Sequence, residues 1–211
     1  MQVNEKLLKN EQMKKVLTVA SKLETKSKKL ISTYNSGYIG KKVYEVTLND
    51  GSTRICEQIT KHDGGDGNAV VILPITNDGN FVMIVQSRPN TKETVALQFP
   101  AGMVDEDEEW QRAAERELLE ETGYKAEKIY ELGWDYQDDG CSAAIIKTYV
   151  AEGCRKITEK RLDGEERLEE IELNPKLVEE LILGKSPMIH DKNSKGAFME
   201  YKLKKMRNDY E

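Results

Sequence analysis

The sequence predicts an α/β sandwich, and three observations on the 211-residue chain predict it. Short runs rich in β-branched residues recur between turn signals. Two other stretches, one stopping at Gly123 and one from about Pro175 to Leu183, repeat apolar residues at helical spacing. The length suits one good core and an extension, hardly two full domains.

Taken in order, residues 3–24 carry a loose helical rhythm (Val3, Leu7, Val16, Ala20, Leu23), though parts of it could equally form strand. Tyr34 to Gly40 holds turn residues. Val43 to Leu48 alternates into the turn Asn49-Asp50-Gly51, and Thr53 to Thr60 returns, a β-hairpin. His62 to Gly67 is glycine-rich but no Gly-Lys-Ser/Thr follows, so it is a plain loop rather than a phosphate cradle. Asn68 to Pro74 reads as a buried strand, Asn77-Asp78-Gly79 as a tight turn, and Asn80 to Gln86 as its return. Val95 to Phe99 leads on to the central helix. Further strands are expected near Tyr130–Gly133, Ala143–Val150 and Leu168–Leu173, and a basic helix over Ala197–Arg207.

Charged residues make up 33% of the chain and hydrophobic ones 38%, an ordinary composition for a soluble protein. The longest apolar run, Ala69 to Leu73, is far short of a membrane span. The N-terminus lacks the apolar segment of a secretion signal. Cys56, Cys141 and Cys154 are odd in number and widely spaced, which points to free thiols in a reducing cytoplasm. Residues 1–42 hold ten lysines and three acids, leaving a net −13 on the remainder of a chain whose formal charge is −6. That basic arm could touch nucleic acid, but solvated lysines or docking on an acidic partner subunit is the expectation.

Everything centres on residues 102–124. Pro100 and Gly102 punctuate the approach, and Asp105 or Asp107 can cap a helix whose first turn would be acid-rich. Gly123 supplies the left-handed stop. At about 100° per residue, Ala113, Glu117, Trp110, Glu121, Ala114 and Leu118 share one face, with Glu120 at its edge. Carboxylates therefore run through the stripe that should be buried. Glu117 repels Glu120 and Glu121, at a cost that grows with burial. Three converging carboxylates form a site for a hard cation, most naturally Mg²⁺ or Mn²⁺.

Gly102, Glu108, Arg116, Glu117, Leu118, Glu120, Glu121 and Gly123 match the pattern Gly-x5-Glu-x7-Arg-Glu-apolar-x-Glu-Glu-x-Gly-apolar. That pattern is the Nudix box, and the chain strongly resembles the Nudix hydrolases; Tyr124 stands where a bulky aliphatic residue is usual. The resemblance implies the Nudix fold, a mixed sheet between helices. Residues 66–211 would be the hydrolase domain, and 1–65 a β-rich extension that packs across a homodimer. Glu117, Glu120 and Glu121 would hold the metal, with the carbonyl of Ala101 or Gly102. Arg116 and Glu108 would form an orienting ion pair.

Gln86-Ser-Arg88-Pro and Leu97-Gln-Phe-Pro-Ala-Gly102 are similar to the ADP-ribose pyrophosphatase branch, which puts Arg88, Gln98 and Phe99 on the substrate side. Arg88 would meet a phosphate or the terminal ribose. In that branch a Glu on a later loop often acts as base, here Glu165 or Glu166. The branch commonly carries a proline about fifteen residues past the box; Asp138-Asp-Gly-Cys-Ser142 has none. The expected substrate is a nucleoside diphosphate linked to another moiety, ADP-ribose foremost. Rivals are a dinucleoside polyphosphate, a sugar nucleotide, coenzyme A, a capped RNA, or a sensor that binds without hydrolysis; the intact carboxylate set argues against the sensor. Trp110 should pack in the core. Trp134 and Tyr136 could stack a base, but core burial is the expectation for them too.

Overall fold

The computed structural model describes residues 8–61, 64–162, 164 and 167–207. The expectations for His62, Glu165 and Glu166 therefore fall outside the described residues, as do Val3 and Leu7. The chain divides into two compact units, Met1–Asp66 with Asp138–Ala143, and Gly67–Gln137 with Ala144–Glu211.

The first unit opens with helix α1 (Glu11–Leu23), whose first amides are capped by the Asn10 side chain, bonded to the N–H groups of Gln12 and Met13. Strands β1 (Thr25–Ser36), β2 (Ile39–Leu48) and β3 (Thr53–Lys61) follow as an antiparallel sheet in that order. The β2–β3 hairpin is the one the sequence announces. The β1 strand is not, because its lysines, serines and threonines give no apolar alternation. The turn expected over Tyr34–Gly40 shrinks to Gly37 and Tyr38, with Gly37 at φ 75°, because the residues on either side pair as the ends of β1 and β2.

The second unit is built on an eight-stranded mixed sheet. Its strands are β4 (Ala69–Thr76), β5 (Phe81–Ser87), β6 (Val95–Gln98), β7 (Ala101–Met103), β8 (Tyr124–Lys125), β9 (Lys128–Tyr136), β10 (Ile145–Lys156) and β11 (Leu168–Leu173). Along the main path the order is β11-β5-β4-β10-β8, with β6 on β5, β7 on β4 and β9 on β10; β4 and β10 run parallel. Helices α2 (Trp110–Thr122), α3 (Pro175–Leu183) and α4 (Lys192–Arg207) complete it.

Strand β4 is apolar from Ala69 to Ile75 because both of its faces are covered. Val70 and Ile72 join Ala113, Ala114 and Leu118 of α2 in one core cluster. Val71 and Leu73 join Val178 and Ile182 of α3 and Ala197, Phe198 and Tyr201 of α4 in the other. Phe81 meets Phe99, Phe198 and Tyr201 edge to face, with ring centroids 5.5–5.8 Å apart.

Helix α2 begins later than the sequence suggests. Its N-cap is Glu109, which makes no side-chain cap bond, and its first turn holds no acid. Asp105 and Asp107 instead shape the turn before it. The Asp105 carbonyl accepts from the Glu108 N–H, Glu108 Oε2 accepts from the Asp105 N–H, and Asp107 sits at φ 63°. The acids fold into that turn because Glu108 is drawn toward Arg116. The stop at Gly123 is as expected: φ is 74°, and a Cβ there would lie 2.1 Å from the Thr158 carbonyl oxygen.

Beyond that stop the chain is fastened twice. Ile157 donates to the Gly123 carbonyl and Arg161 to that of Glu120. Glu170 of β11 then takes Lys156 at 2.6 Å and Lys160 at 3.0 Å. Burial opposes its charge, but the two ammonium groups outweigh it and hold the carboxyl at about 2, below the ordinary 4.5. A depressed carboxylate stabilises the fold at pH above its unfolded value and loses that contribution as pH falls through the folded one. Acid titration of the folded chain should therefore lose stability between pH 4.5 and about 2 through this group. Glu170→Gln should flatten that segment of the curve and lower stability at neutral pH, read by chemical denaturation at each pH.

Candidate active site

Loop residues Phe99 and Pro100, strand β7 and helix α2 hold most of the residues singled out from the sequence. Glu121 is 3% exposed, on the face of α2 that carries Ala113, Ala114 and Leu118. Its Oε2 accepts the Ala101 N–H at 2.9 Å. Glu117 lies against the same loop. A Cβ on Gly102 would sit 1.9 Å from the Glu117 carboxyl carbon, so only glycine lets this side chain lie where it does.

Arg116 gathers the other acids. Its Nε and Nη2 donate to the two oxygens of Glu108, both at 2.9 Å, and Nη2 also donates to the Met103 carbonyl at 2.9 Å. Its Nη1 donates to Glu117 Oε1 at 2.8 Å and Glu120 Oε2 at 3.1 Å. Hydrogen bonding to the guanidinium holds the Glu108 carboxyl below its usual range against the opposing effect of burial. The Arg116 guanidinium is raised in turn, first by Glu108. The pair joins the turn before α2 to the helix itself.

Among the described residues no three acidic, histidine or cysteine side chains are already gathered at metal-binding spacing. The donors nonetheless have the chemistry a divalent ion needs: hard carboxylate oxygens beside a backbone loop that only glycine allows so close. Glu117 and Glu120 lean on Arg116, while Glu121 leans on Ala101. The group fits Mg²⁺ or Mn²⁺ better than a softer ion, since no thiolate or imidazole is among them.

Just past the end of β5, Arg88 is half-buried and its Nε donates to Gln98 Oε1 at the end of β6, at 3.2 Å. Both line a cavity with Glu93, His190 and Asp191. Gln98 is only 4% exposed, so its amide oxygen meets Arg88 inside the fold. Phe99 must be corrected. Its side chain is fully buried against Phe81, because the alternation that turns Gln98 toward one side turns Phe99 into the core. Its backbone is informative instead: the Phe99 N–H donates to Ser194 Oγ at 2.9 Å, and Ser194 is fully buried at the start of α4. Sequence reasoning missed Ser194. The Asp191-x-x-Ser194 spacing was the available signal, for Asp191 Oδ2 accepts the Ser194 N–H at 2.7 Å as a helix cap does.

Trp110 packs on the α2-side core as expected, with the Lys147 ammonium 5.1 Å from its ring centre. Trp134 and Tyr136 do not fit the expected burial. They are 53% and 49% exposed and meet edge to face at 5.5 Å, on a strand whose pairing here is to β10 alone.

The NUDIX domain family model matches residues 66–191. The chain belongs to the Nudix family. It is 34% identical over 148 residues to an ADP-ribose pyrophosphatase of Bacillus subtilis (strain 168), covering 70% of this chain and 76% of that one. It is 33% identical over 151 residues to a methanol dehydrogenase activator of Bacillus methanolicus, covering 71% and 78%. A solved structure described as an ADP compounds hydrolase matches with TM-score 0.70 at 20% identity, over 88% of this chain and 96% of that one, which shows the shared fold. The Nudix fold here is the mixed sheet with its helices, accompanied by a separate three-stranded antiparallel sheet. The chain is a Nudix pyrophosphohydrolase. No helix of the described residues is long and apolar enough to cross a membrane.

The close approach of Glu117 to Gly102 is open to direct measurement. Gly102→Ala should cost roughly 1–3 kcal/mol by urea unfolding. In a Glu117→Ala background the same change should cost close to nothing, so the double-mutant cycle reports that one contact.

Proposed function

We propose that this Nudix pyrophosphohydrolase cleaves a nucleoside diphosphate linked to another moiety, with ADP-ribose the leading substrate, giving AMP and ribose 5-phosphate. The observation that carries it is the inward set on α2: Glu121 buried on the Ala101 N–H and Glu117 laid on Gly102. The identity to an ADP-ribose pyrophosphatase supports the choice of substrate.

Glu117, Glu120 and Glu121 would hold Mg²⁺ or Mn²⁺ together with a carbonyl at Ala101. Such an ion, when bound, withdraws charge from phosphoryl oxygens and lowers the pKa of a bound water. The residues do the rest. Arg116 and Glu108 fix the loop against the helix, and Gln98 aims the Arg88 guanidinium at a phosphate or the terminal ribose. Glu165 or Glu166 takes the proton from the attacking water as the bond to the bridging oxygen breaks.

A product assay over ADP-ribose, sugar nucleotides, dinucleoside polyphosphates, coenzyme A and capped RNA tests this reading. ADP-ribose should give the highest kcat/KM in Mg²⁺. Glu121→Gln should lose several orders of magnitude in kcat yet keep its circular dichroism spectrum, as expected on removing a group that acts in the transition state. Tight binding of ADP-ribose without turnover in excess Mg²⁺ would make the protein a sensor instead.

We also propose that residues 1–65 pack across a homodimer of a cytoplasmic protein. Leu30, Ile31, Tyr34, Ile39 and Ile55 are all half or more exposed on the small sheet, an apolar surface that a second copy would cover. Sedimentation should find the full chain dimeric and a chain starting at residue 67 monomeric. A dimer from the shortened chain would refute the assignment.

A further inference from the structure

All five N–H donors of Arg116 are used, and they fall into two groups. Nε and Nη2 hold Glu108 through both of its oxygens and the Met103 carbonyl, which belong to the turn before α2 and to β7. Nη1 bridges Glu117 and Glu120, giving one N–H to each. The first group is a bidentate clamp, the stronger arrangement for a guanidinium; the second is two single bonds. The second group also draws on two of the three carboxylates that would serve a divalent ion, a dependence that rests on the metal reading given above.

Coulomb repulsion between the ion and the guanidinium makes them rivals for those oxygens. Glu117 already lies close against Gly102, where even a Cβ would meet its carboxyl, so little room remains on the loop side. The side free to shift is the singly bonded Nη1. We propose that Arg116 is a built-in competitor for the divalent ion. Its Nη1 holds Glu117 and Glu120 together against their own repulsion and yields them as the ion binds, while Nε and Nη2 stay on Glu108. Arg116 thereby sets how tightly the site holds its ion, and it acts as a positioning residue, not a catalytic one.

The competitor makes a prediction opposite in sign to that of an orienting ion pair. Calorimetric titration of the full chain with Mn²⁺ should show Arg116→Gln binding at least about tenfold more tightly than wild type, because a neighbouring positive charge is gone. Arg116→Lys, which keeps the charge but cannot clamp and bridge at once, should fall between. Equal or weaker Mn²⁺ affinity in Arg116→Gln overturns the proposal.

The wild-type protein supplies a second readout, free of any folding defect. In crystals soaked with Mg²⁺, Nη1 should leave hydrogen-bond reach of Glu117 and Glu120 with the Glu108 clamp intact. An ion bound among the carboxylates with all five Arg116 bonds retained also overturns the competitor, but leaves the metal site standing. A wild-type chain that takes up neither Mg²⁺ nor Mn²⁺ removes the metal reading itself.

Discussion

Carboxylates on a half-buried helix face repel one another and resist desolvation, and the site is organised by how this cost is met. Ala113, Ala114 and Leu118 press α2 onto the sheet and carry Glu121 inward with them. The buried charge is met by a backbone amide, Ala101, and Glu117 and Glu120 are met by one guanidinium. A chain that kept this face only for packing would place leucine at 117 and 121. Keeping acids there requires a use for them, and binding a hard cation is one that their spacing permits.

The loop between β6 and β7 is tied from both faces of the sheet. Phe99 donates to Ser194 of α4, which packs with Val71 and Leu73; Ala101 donates to Glu121 of α2, which packs with Val70 and Ile72. Between them the Pro100 carbonyl accepts from Ile72 of β4. Three consecutive residues are thus fixed to three elements. Loss of any one tie would leave the others to hold the loop, but with the position of its carbonyls less defined. A site that needs backbone oxygens at a set distance from side-chain oxygens gains from such rigid support.

Most of the second unit was legible, and what was not has identifiable causes. The strand β11 and helix α3 boundaries follow from Leu168–Leu173 and from Pro175 and Leu183, because period and cap signals agree there. The helix start was misjudged since Asp105 and Asp107 look like caps in one dimension, whereas Glu108 folds back to Arg116 in three. Strand β1 is hard to see in the sequence because its lysines, serines and threonines give no regular apolar alternation, although it makes ten pairings with β2. The resemblance of Leu97-Gln-Phe-Pro-Ala-Gly102 to one branch of the family puts Phe99 with the substrate; strand alternation, applied one residue past Gln98, sends its side chain to the core. The Asp191-x-x-Ser194 spacing marks a cap, but that Ser194 meets Phe99 and that Glu117 meets Gly102 could not be read, since each contact joins residues apart in sequence.

Tyr124 shows how a departure from a family pattern can be absorbed. An aliphatic side chain is usual at the end of the box, and the Tyr124 ring does fill the α2-side core. Its hydroxyl would be a buried liability there, but it reaches Glu172 Oε1 of β11 at 2.7 Å and donates. Burial, and then this carboxylate, push the phenol well above its ordinary value, so the proton stays on the tyrosine. The same strand bears Glu170, which binds the lysines of the segment after β10. The substitution therefore adds a polar tie between the end of the box and β11, near where the chain beyond Arg161 rejoins the sheet, without charging the core.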